Sequence, residues 1–130
     1  MSDDPLALRA TGITMDCADV GRMADFWQAA LGFATRAGDE RQAVTLSEPR
    51  HGRSINHLTL QKVPEPKSAK HRVHLDLFPA DLERAKARLV ELGAAVAREP
   101  ATDEPGHFGF QATVMVDPEG GEFCLVARTA

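Results

Sequence analysis

Two stretches of the chain, Ile13-Thr-Met-Asp-Cys-Ala-Asp-Val20 and Val73-His-Leu-Asp-Leu-Phe-Pro-Ala-Asp-Leu82, carry the same pattern and decide the fold. In each of them apolar and polar residues alternate, which is typical of a β-strand because successive side chains point to opposite faces. After the Asp near the end of each stretch, apolar residues recur every three or four positions, as on the buried side of a helix. Each stretch therefore predicts a strand that leads into a helix.

The residues that flank the two helical patterns support the same interpretation. Asp19 and Asp81 stand where a helix begins, and an Asp side chain there accepts a hydrogen bond from the first turn. Gly32 and Gly93 stand where a helix ends, a position that favours a left-handed glycine. The two sets are offset by 62 positions at the aspartates (81 − 19) and by 61 at the glycines (93 − 32). The chain is therefore predicted to be an internal duplication.

Short β-like segments, separated by turn residues such as those of Asp117-Pro-Glu-Gly-Gly121, follow each helix. The sequence thus predicts an α+β fold made of two tandem βαβββ modules. The first module covers about residues 11–63 and the second about 71–128, within a single domain that spans residues 1–130. The connection, about residues 64–70, contains two prolines that prevent a continuous helix.

Composition narrows the class of protein. The chain has 130 residues, of which 43% are hydrophobic and 26% charged, close to globular averages. No apolar run is long enough to span a membrane, and the acidic N-terminus lacks the apolar core of a signal peptide. Two cysteines are too few for a disulfide framework, and a net charge of −4 disfavours nucleic-acid and membrane surfaces. We expect a cytoplasmic protein with no nucleic-acid or membrane partner.

Strand parity predicts which side chains face the helices and which face away. Val73, Leu75 and Leu77 are assigned to the helix side of their strand. The opposite, polar side is the candidate ligand-binding face, although a solvated sheet face has the same composition. Its predicted ligand-binding members are Thr14, Asp16, His57, Thr59, Gln61, Arg72, His74, Met115 and Cys124.

Several motifs, in this order and spacing, resemble a known family. Ala24-Asp-Phe-Trp-Gln-Ala-Ala-Leu-Gly32 and Asp117-Pro-Glu-Gly-Gly-Glu-Phe-Cys-Leu125 are the most specific of them. Over about residues 11–128 the chain resembles the vicinal oxygen chelate superfamily, specifically its glyoxalase-like and bleomycin-resistance-like domains. The resemblance implies that the modules form a cup-shaped mixed β-sheet with helices outside, often in a homodimer. It also implies that a small oxygenated molecule binds in the concave cleft.

The resemblance further implies a divalent metal held by four side chains, two from each module. The corresponding positions here are Gly12, Gln61, His74 and Cys124. Glycine has no side-chain ligand and a neutral amide is a poor one, so this degenerate set predicts no metal site of the four-ligand type. We expect no cofactor and no stoichiometric metal in the purified protein, with a divalent metal at the two remaining positions as the alternative.

Two function classes remain open at this point. His74 and Asp76 share one face of a strand, so they are the candidate catalytic pair for general acid–base chemistry in a lyase, isomerase or dioxygenase-like enzyme. Cys124 is a candidate nucleophile if its strand lies beside His74, and otherwise a small buried residue. The other class is a non-catalytic protein that binds a small molecule, which the missing metal ligands favour.

Overall fold

The two predicted modules are present in the structure, a computed structural model that describes residues 6–48, 55–100 and 109–128. Across these ranges the chain forms two four-stranded sheets and two helices, and the order of elements repeats as β-α-β-β-β. The α+β class and the tandem βαβββ organisation are therefore confirmed. The elements are β1 (Gly12–Cys17), α1 (Val20–Leu31), β2 (Thr35–Asp39), β3 (Ala43–Ser47), β4 (His57–Lys62), β5 (Leu75–Leu77), α2 (Leu82–Leu92), β6 (Ala95–Arg98), β7 (Phe110–Val116) and β8 (Glu122–Arg128).

Both helices begin and end at the predicted residues. The side chains of Asp19 and Asp81 each accept a hydrogen bond from the backbone N–H three residues later, at 3.1 Å in both cases. Gly32 and Gly93 close the helices with φ angles of 68° and 118°, which side-chain-bearing residues rarely adopt. The caps therefore fix where each strand ends and where its helix starts.

The first sheet has the strand order β1-β4-β3-β2, with β1 and β4 parallel and the other pairs antiparallel. Helix α1 packs against β3 and β4. The apolar side chains of the strands alternate onto one buried face, and the helix adds its own apolar stripe. The buried members include Val44, Leu46, Leu58, Leu60, Met23, Phe26 and Trp27. The opposite face of this sheet is left to the polar residues, as strand parity predicts.

The second sheet repeats the arrangement, with the order β5-β8-β7-β6 and a parallel pair β5–β8. Here the predicted parity of β7 is wrong. Met115 lies opposite Phe123 and Thr113 opposite Leu125, so all four side chains share one face, and all are buried. The error arises because β7 has apolar residues at both parities, whereas the five-residue turn 117–121 pairs residue 116 with residue 122 and fixes the register.

The start of β5 also differs from the prediction. The strand covers only Leu75–Leu77, and Val73 precedes it with a relative exposure of 77%. Val73 is therefore not on the helix side of a strand, because no strand extends back to it. Leu75 and Leu77 are half-buried, and Asp76 between them is exposed.

The chain divides into two compact units, Met1–Pro64 and Glu65–Ala130, at the start of the predicted connection. Each unit contains one sheet and one helix. With 12 and 11 residues, the two helices of the described ranges are too short to cross a membrane.

Candidate functional site

A row of threonines crosses the polar face of the first sheet. Thr14 on β1 pairs with Thr59 on β4, which pairs in turn with Thr45 on β3. Residues directly opposite each other on neighbouring strands point to the same face. The hydroxyls of Thr45 and Thr59 are hydrogen-bonded at 2.8 Å. The row therefore presents neutral donors and acceptors together.

The rows on either side extend this polar face. His57 and Gln61 lie two residues from Thr59 in either direction, so they point to the same side of β4. The His57 ring contacts the backbone oxygen of Thr11, with its Nδ1 at 3.2 Å. The predicted residues of the first module thus lie together on one face: Thr14, Asp16, His57, Thr59 and Gln61.

In the second sheet, three of the predicted site residues form a cluster. Asp76 pairs with Cys124 across the parallel strands β5 and β8, and His74 immediately precedes β5. The Nε2 atom of His74 is 3.3 Å from Oδ1 of Asp76. One ligand atom from each of the three residues lies within 4.8 Å of the other two. A nitrogen, an oxygen and a sulfur donor therefore meet at one place.

The cluster combines two exposed side chains with one buried side chain. The His74 and Asp76 side chains are 39% and 63% exposed, whereas Cys124 is buried. Burial raises the pKa of the Cys124 thiol, and the nearby Asp76 carboxylate raises it further, while the charge of Lys70 acts in the opposite direction. Because the thiolate is the reactive form, the thiol is a weak nucleophile at neutral pH in this environment.

A residue that the sequence did not indicate anchors the segment leading to this cluster. Glu122, at the start of β8, accepts a hydrogen bond from the backbone N–H of His71 at 3.0 Å and contacts the Lys67 ammonium at 2.8 Å. The Lys67 ammonium, followed by the His71 N–H, lowers the pKa of Glu122 to about 2. Glu122 thus holds the segment that carries Lys70 and His74. No local pattern could reveal this, because Lys67 and Glu122 are 55 positions apart (122 − 67).

The turn before β8 fixes the register between β7 and β8. Buried Asp117 accepts the backbone N–H groups of Glu119 and Gly121, each at 2.9 Å. Burial raises the Asp117 pKa, and these two hydrogen bonds oppose that rise. A Cβ atom at Gly121 would lie 2.6 Å from Asp117 Oδ2 and 2.8 Å from His71 Cε1, so only glycine fits there. The turn therefore holds β8 in the register with β7 that places Cys124 opposite Val114.

The remaining predicted ligand-binding residues are Arg72 and Met115. Arg72 is exposed and precedes β5 in the anchored segment. Met115 has no exposed surface and lies on the buried face of β7 with Phe123, the side opposite Cys124. The assignment of Met115 to the polar face is therefore wrong, for the register reason given above.

The four positions that the family resemblance associates with a metal do not fit one. Gly12 offers no side chain, and a Cβ atom there would already lie 3.1 Å from the Cβ of His57. Gln61 offers only a neutral amide, a poor metal ligand. His74 and Cys124 are suitable donors, and their third neighbour is Asp76 from the same module. Among residues 6–48, 55–100 and 109–128, this trio is the one group of three or more metal-ligating side chains found together.

Comparison with known proteins gives one family and many structural relatives. The family model described as "Glyoxalase-like domain" matches residues 12–126. A possible glyoxalase from Bacillus cereus is 21% identical with a TM-score of 0.66, covering 93% of this chain and 100% of its own. A glyoxalase/bleomycin resistance protein/dioxygenase superfamily member from Sphaerobacter thermophilus is 22% identical with a TM-score of 0.65, covering 93% and 98%.

A third solved structure, a glyoxalase/bleomycin resistance protein/dioxygenase family enzyme from Burkholderia phytofirmans, is 16% identical with a TM-score of 0.65. It covers 94% of this chain and 100% of its own. At these identities the structures show a common fold. No curated protein matches the chain.

Proposed function

The chain belongs to the glyoxalase-like domain family, and from that premise we propose that it binds a small oxygenated molecule without a four-ligand metal site. The observation that carries the proposal is the meeting of His74, Asp76 and Cys124 on the second sheet. Two of these side chains are exposed to solvent, and the third is buried, with its ligand atom within 4.8 Å of theirs. A small molecule that reaches this place meets two polar groups that are open to solvent.

The chemistry of the cluster selects oxygen-bearing ligands. Asp76 accepts hydrogen bonds from hydroxyl groups, and an imidazole such as that of His74 either donates or accepts, so a hydroxyl beside a carbonyl suits the pair. The positive charge of Lys70, which acts on the Cys124 thiol, adds attraction for a carboxylate or enolate. In the first module, the threonine row offers neutral hydroxyls to the same class of molecule.

The residue types of the first module are the reason for proposing that the ligand binds without the four-ligand metal. In relatives of the type that the resemblance implies, a metal would polarise the oxygen atoms of the ligand. Here Gly12 and Gln61 supply no ionised or imidazole ligand, so hydrogen bonds and charge take over that role.

The proposal can be tested by calorimetry with a panel of small hydroxy, oxo and carboxy compounds. The buffer contains a chelator. We expect at least one compound to bind, and His74→Ala to weaken it about 10-fold or more, which corresponds to about 1.4 kcal/mol. Glu91→Gln is the control, because that carboxylate is exposed on α2 and pairs with Arg88. Equal affinity in the His74→Ala variant and the parent would contradict the assigned site.

The second candidate function is catalysis by the same cluster. The 3.3 Å contact between His74 Nε2 and Asp76 Oδ1 favours it, because a carboxylate that orients an imidazole is the usual arrangement of a general base. If the protein is a lyase, isomerase or dioxygenase-like enzyme, His74→Ala abolishes turnover with a modest effect on binding. Turnover that survives in this variant would exclude His74 as the base.

The proposal includes a homodimer in the cytoplasm, with no nucleic-acid or membrane partner. Neither Cys17 nor Cys124 forms a disulfide, which is consistent with a reducing compartment. The net charge of −4 gives no basic attraction for polyanions. Light scattering on the purified protein tests the dimer, and a monomer mass at micromolar concentration would contradict it.

A further inference from the structure

Two aromatic rings meet at the end of the second sheet that lies away from the turn 117–121. Phe78 directly follows β5 and Phe110 begins β7, and in the sheet β8 lies between these two strands. The ring centroids are 5.3 Å apart, and the ring planes stand at 85° to each other. This edge-to-face arrangement is one that aromatic pairs prefer. The two rings therefore contact each other across β8.

An arginine lies beside this ring pair. Arg128 is paired with Phe110 in the register of β7 and β8, so the two side chains point to the same face of the sheet. The guanidinium carbon of Arg128 is 5.9 Å from the centre of the Phe110 ring, within the range of a cation–π contact. Arg128 is exposed, and a guanidinium offers N–H donors in a planar fork that matches a carboxylate. Phe78, Phe110 and Arg128 are called the aromatic site below.

The exposure of Phe78 indicates that the aromatic site has room for a ligand. The relative exposure of Phe78 is 65%, although burial of a phenylalanine is what ordinarily stabilises a fold. Among residues 6–48, 55–100 and 109–128, it is the one exposed phenylalanine or tryptophan. Its contact with Phe110 restricts the ring, so a ligand that stacks on it pays little for ordering the side chain.

The face of the sheet next to the rings is apolar. Ala112 and Val126 are paired with each other and stand two positions along their strands from Phe110 and Arg128. Alternate residues of a strand share a face, so these two half-buried side chains lie on the same side as the aromatic site. A flat ring that stacks on Phe78 therefore has apolar neighbours on the sheet and a positive charge at one side.

From these observations we propose that the aromatic site binds a planar aromatic compound that carries a carboxylate. The aromatic part stacks on Phe78, and the carboxylate forms charge-assisted hydrogen bonds with the guanidinium of Arg128. A saturated ring lacks the stacking surface, and an aromatic cation is repelled by Arg128. The inference goes beyond the proposed function, because it uses residues outside the cluster of His74, Asp76 and Cys124 and a different interaction.

The aromatic site can be tested by calorimetric titration of the intact chain with naphthoate, a flat two-ring carboxylate that has no hydroxyl or oxo group. We expect naphthoate to bind at about one molecule per chain. The amide of the same acid lacks the charge, and the fully saturated analogue lacks the aromatic surface. Each of these two compounds should therefore bind at least about 5-fold more weakly than naphthoate.

Three variants assign the binding to individual side chains. Phe78→Ala should weaken naphthoate binding about 5-fold or more, because it removes the stacking ring. Naphthoate binding to the parent should weaken as salt is added, and Arg128→Met should lose this salt dependence together with the charge. Val96→Ala is the control for Phe78→Ala, because Val96 is also exposed but lies opposite Met115 and so points to the other face of the sheet. It should bind naphthoate as the parent does.

Several outcomes would overturn the proposal. They are the absence of naphthoate binding, an unchanged affinity in Phe78→Ala, and equal affinities for naphthoate and its saturated analogue. An unchanged salt dependence in Arg128→Met would overturn the assignment of the carboxylate to that residue. If naphthoate does not bind and Phe78→Ala lowers the mass measured by light scattering, the occupant of the site is a second copy of the chain instead. The proposed function is tested through His74→Ala with other compounds, so either proposal can fail while the other stands.

Discussion

Replacing Glu122 with glutamine should destabilise the fold measurably, because this carboxylate is the anchor of the segment before β5. The Lys67 ammonium and the N–H of His71 lower its pKa from 4.5 to about 2. Since a tenfold change in proton affinity is worth about 1.36 kcal/mol, the full shift corresponds to an upper limit of about 3 kcal/mol at neutral pH. The Lys67 and Glu122 side chains are 22% and 18% exposed, so solvent screening reduces the expected loss to about 1–2 kcal/mol.

The dependence on pH has a definite sign. The pKa of Glu122 is lowered in the folded state, so its stabilisation is fully present above pH 4.5 and is lost as the pH falls towards about 2. Glutamine keeps an oxygen that can accept the His71 N–H, and it removes the attraction for Lys67. The parent and the Glu122→Gln variant should therefore differ at neutral pH and converge near pH 2.

Urea unfolding followed by circular dichroism measures this difference at a series of pH values. Glu91→Gln is the matched control, because Glu91 forms an ion pair with Arg88 in which both side chains are more than half exposed. That control should change the free energy of unfolding by less than about 0.5 kcal/mol. If Glu122→Gln is as neutral as the control at pH 7, or if its effect is the same at pH 2, the anchoring role is refuted.

Three further predictions follow from burial, backbone geometry and electrostatics. Met115→Ala should lower the free energy of unfolding by about 2–5 kcal/mol in urea, because the Met115 side chain has no exposed surface. Val90→Ala is the control and should lower it by less than about 1 kcal/mol, because Val90 is half exposed on α2. Similar losses in the two variants would contradict the register of β7. Gly38→Ala should lower the free energy of unfolding by about 1–3 kcal/mol in the same assay, because the φ angle of Gly38 is 126° and a Cβ atom there would lie 2.3 Å from a carbonyl oxygen of β3. An unchanged free energy of unfolding would contradict that geometry. The thiol of Cys124, whose pKa is raised by burial and by Asp76, should react slowly with a disulfide reagent at neutral pH. Asp76→Asn should move the pH profile of that reaction to lower pH, and an unmoved profile would show that the carboxylate does not act on the thiol.

The duplication could be predicted from the sequence because it rests on local signals. Asp19 and Asp81 cap helices through hydrogen bonds to residues three positions away, and Gly32 and Gly93 end them through their own backbone angles. Such signals need no knowledge of distant contacts. The same holds for the first sheet, where the large apolar residues of β1, β3 and β4 occupy one parity of each strand.

The register of β7 could not be predicted, because its apolar residues occupy both parities. Which set is buried depends on the turn that joins β7 to β8, where Asp117 binds two backbone N–H groups and pairs residue 116 with residue 122. Val73 was misplaced for a related reason. Alternation extends the strand pattern back to Val73, but pairing with β8 begins only at Leu75.

The candidate site was predictable in part. Parity placed His74 and Asp76 on one side of a strand, and the structure adds Cys124 as their neighbour through the pairing of β5 with β8. Glu122 was missed, because its partners Lys67 and His71 are more than 50 positions away and no periodicity links them. A local sequence pattern does not reveal ion pairs between residues this far apart.

The proposed binding site can be tested by a crystal structure of the protein with the tightest-binding compound of the calorimetric panel, grown with chelator. We expect density for the compound beside the cluster, with an oxygen atom within about 3.5 Å of His74 Nε2 or an Asp76 carboxylate oxygen. Density for a bound compound that touches none of His74, Asp76 and Cys124 would contradict it.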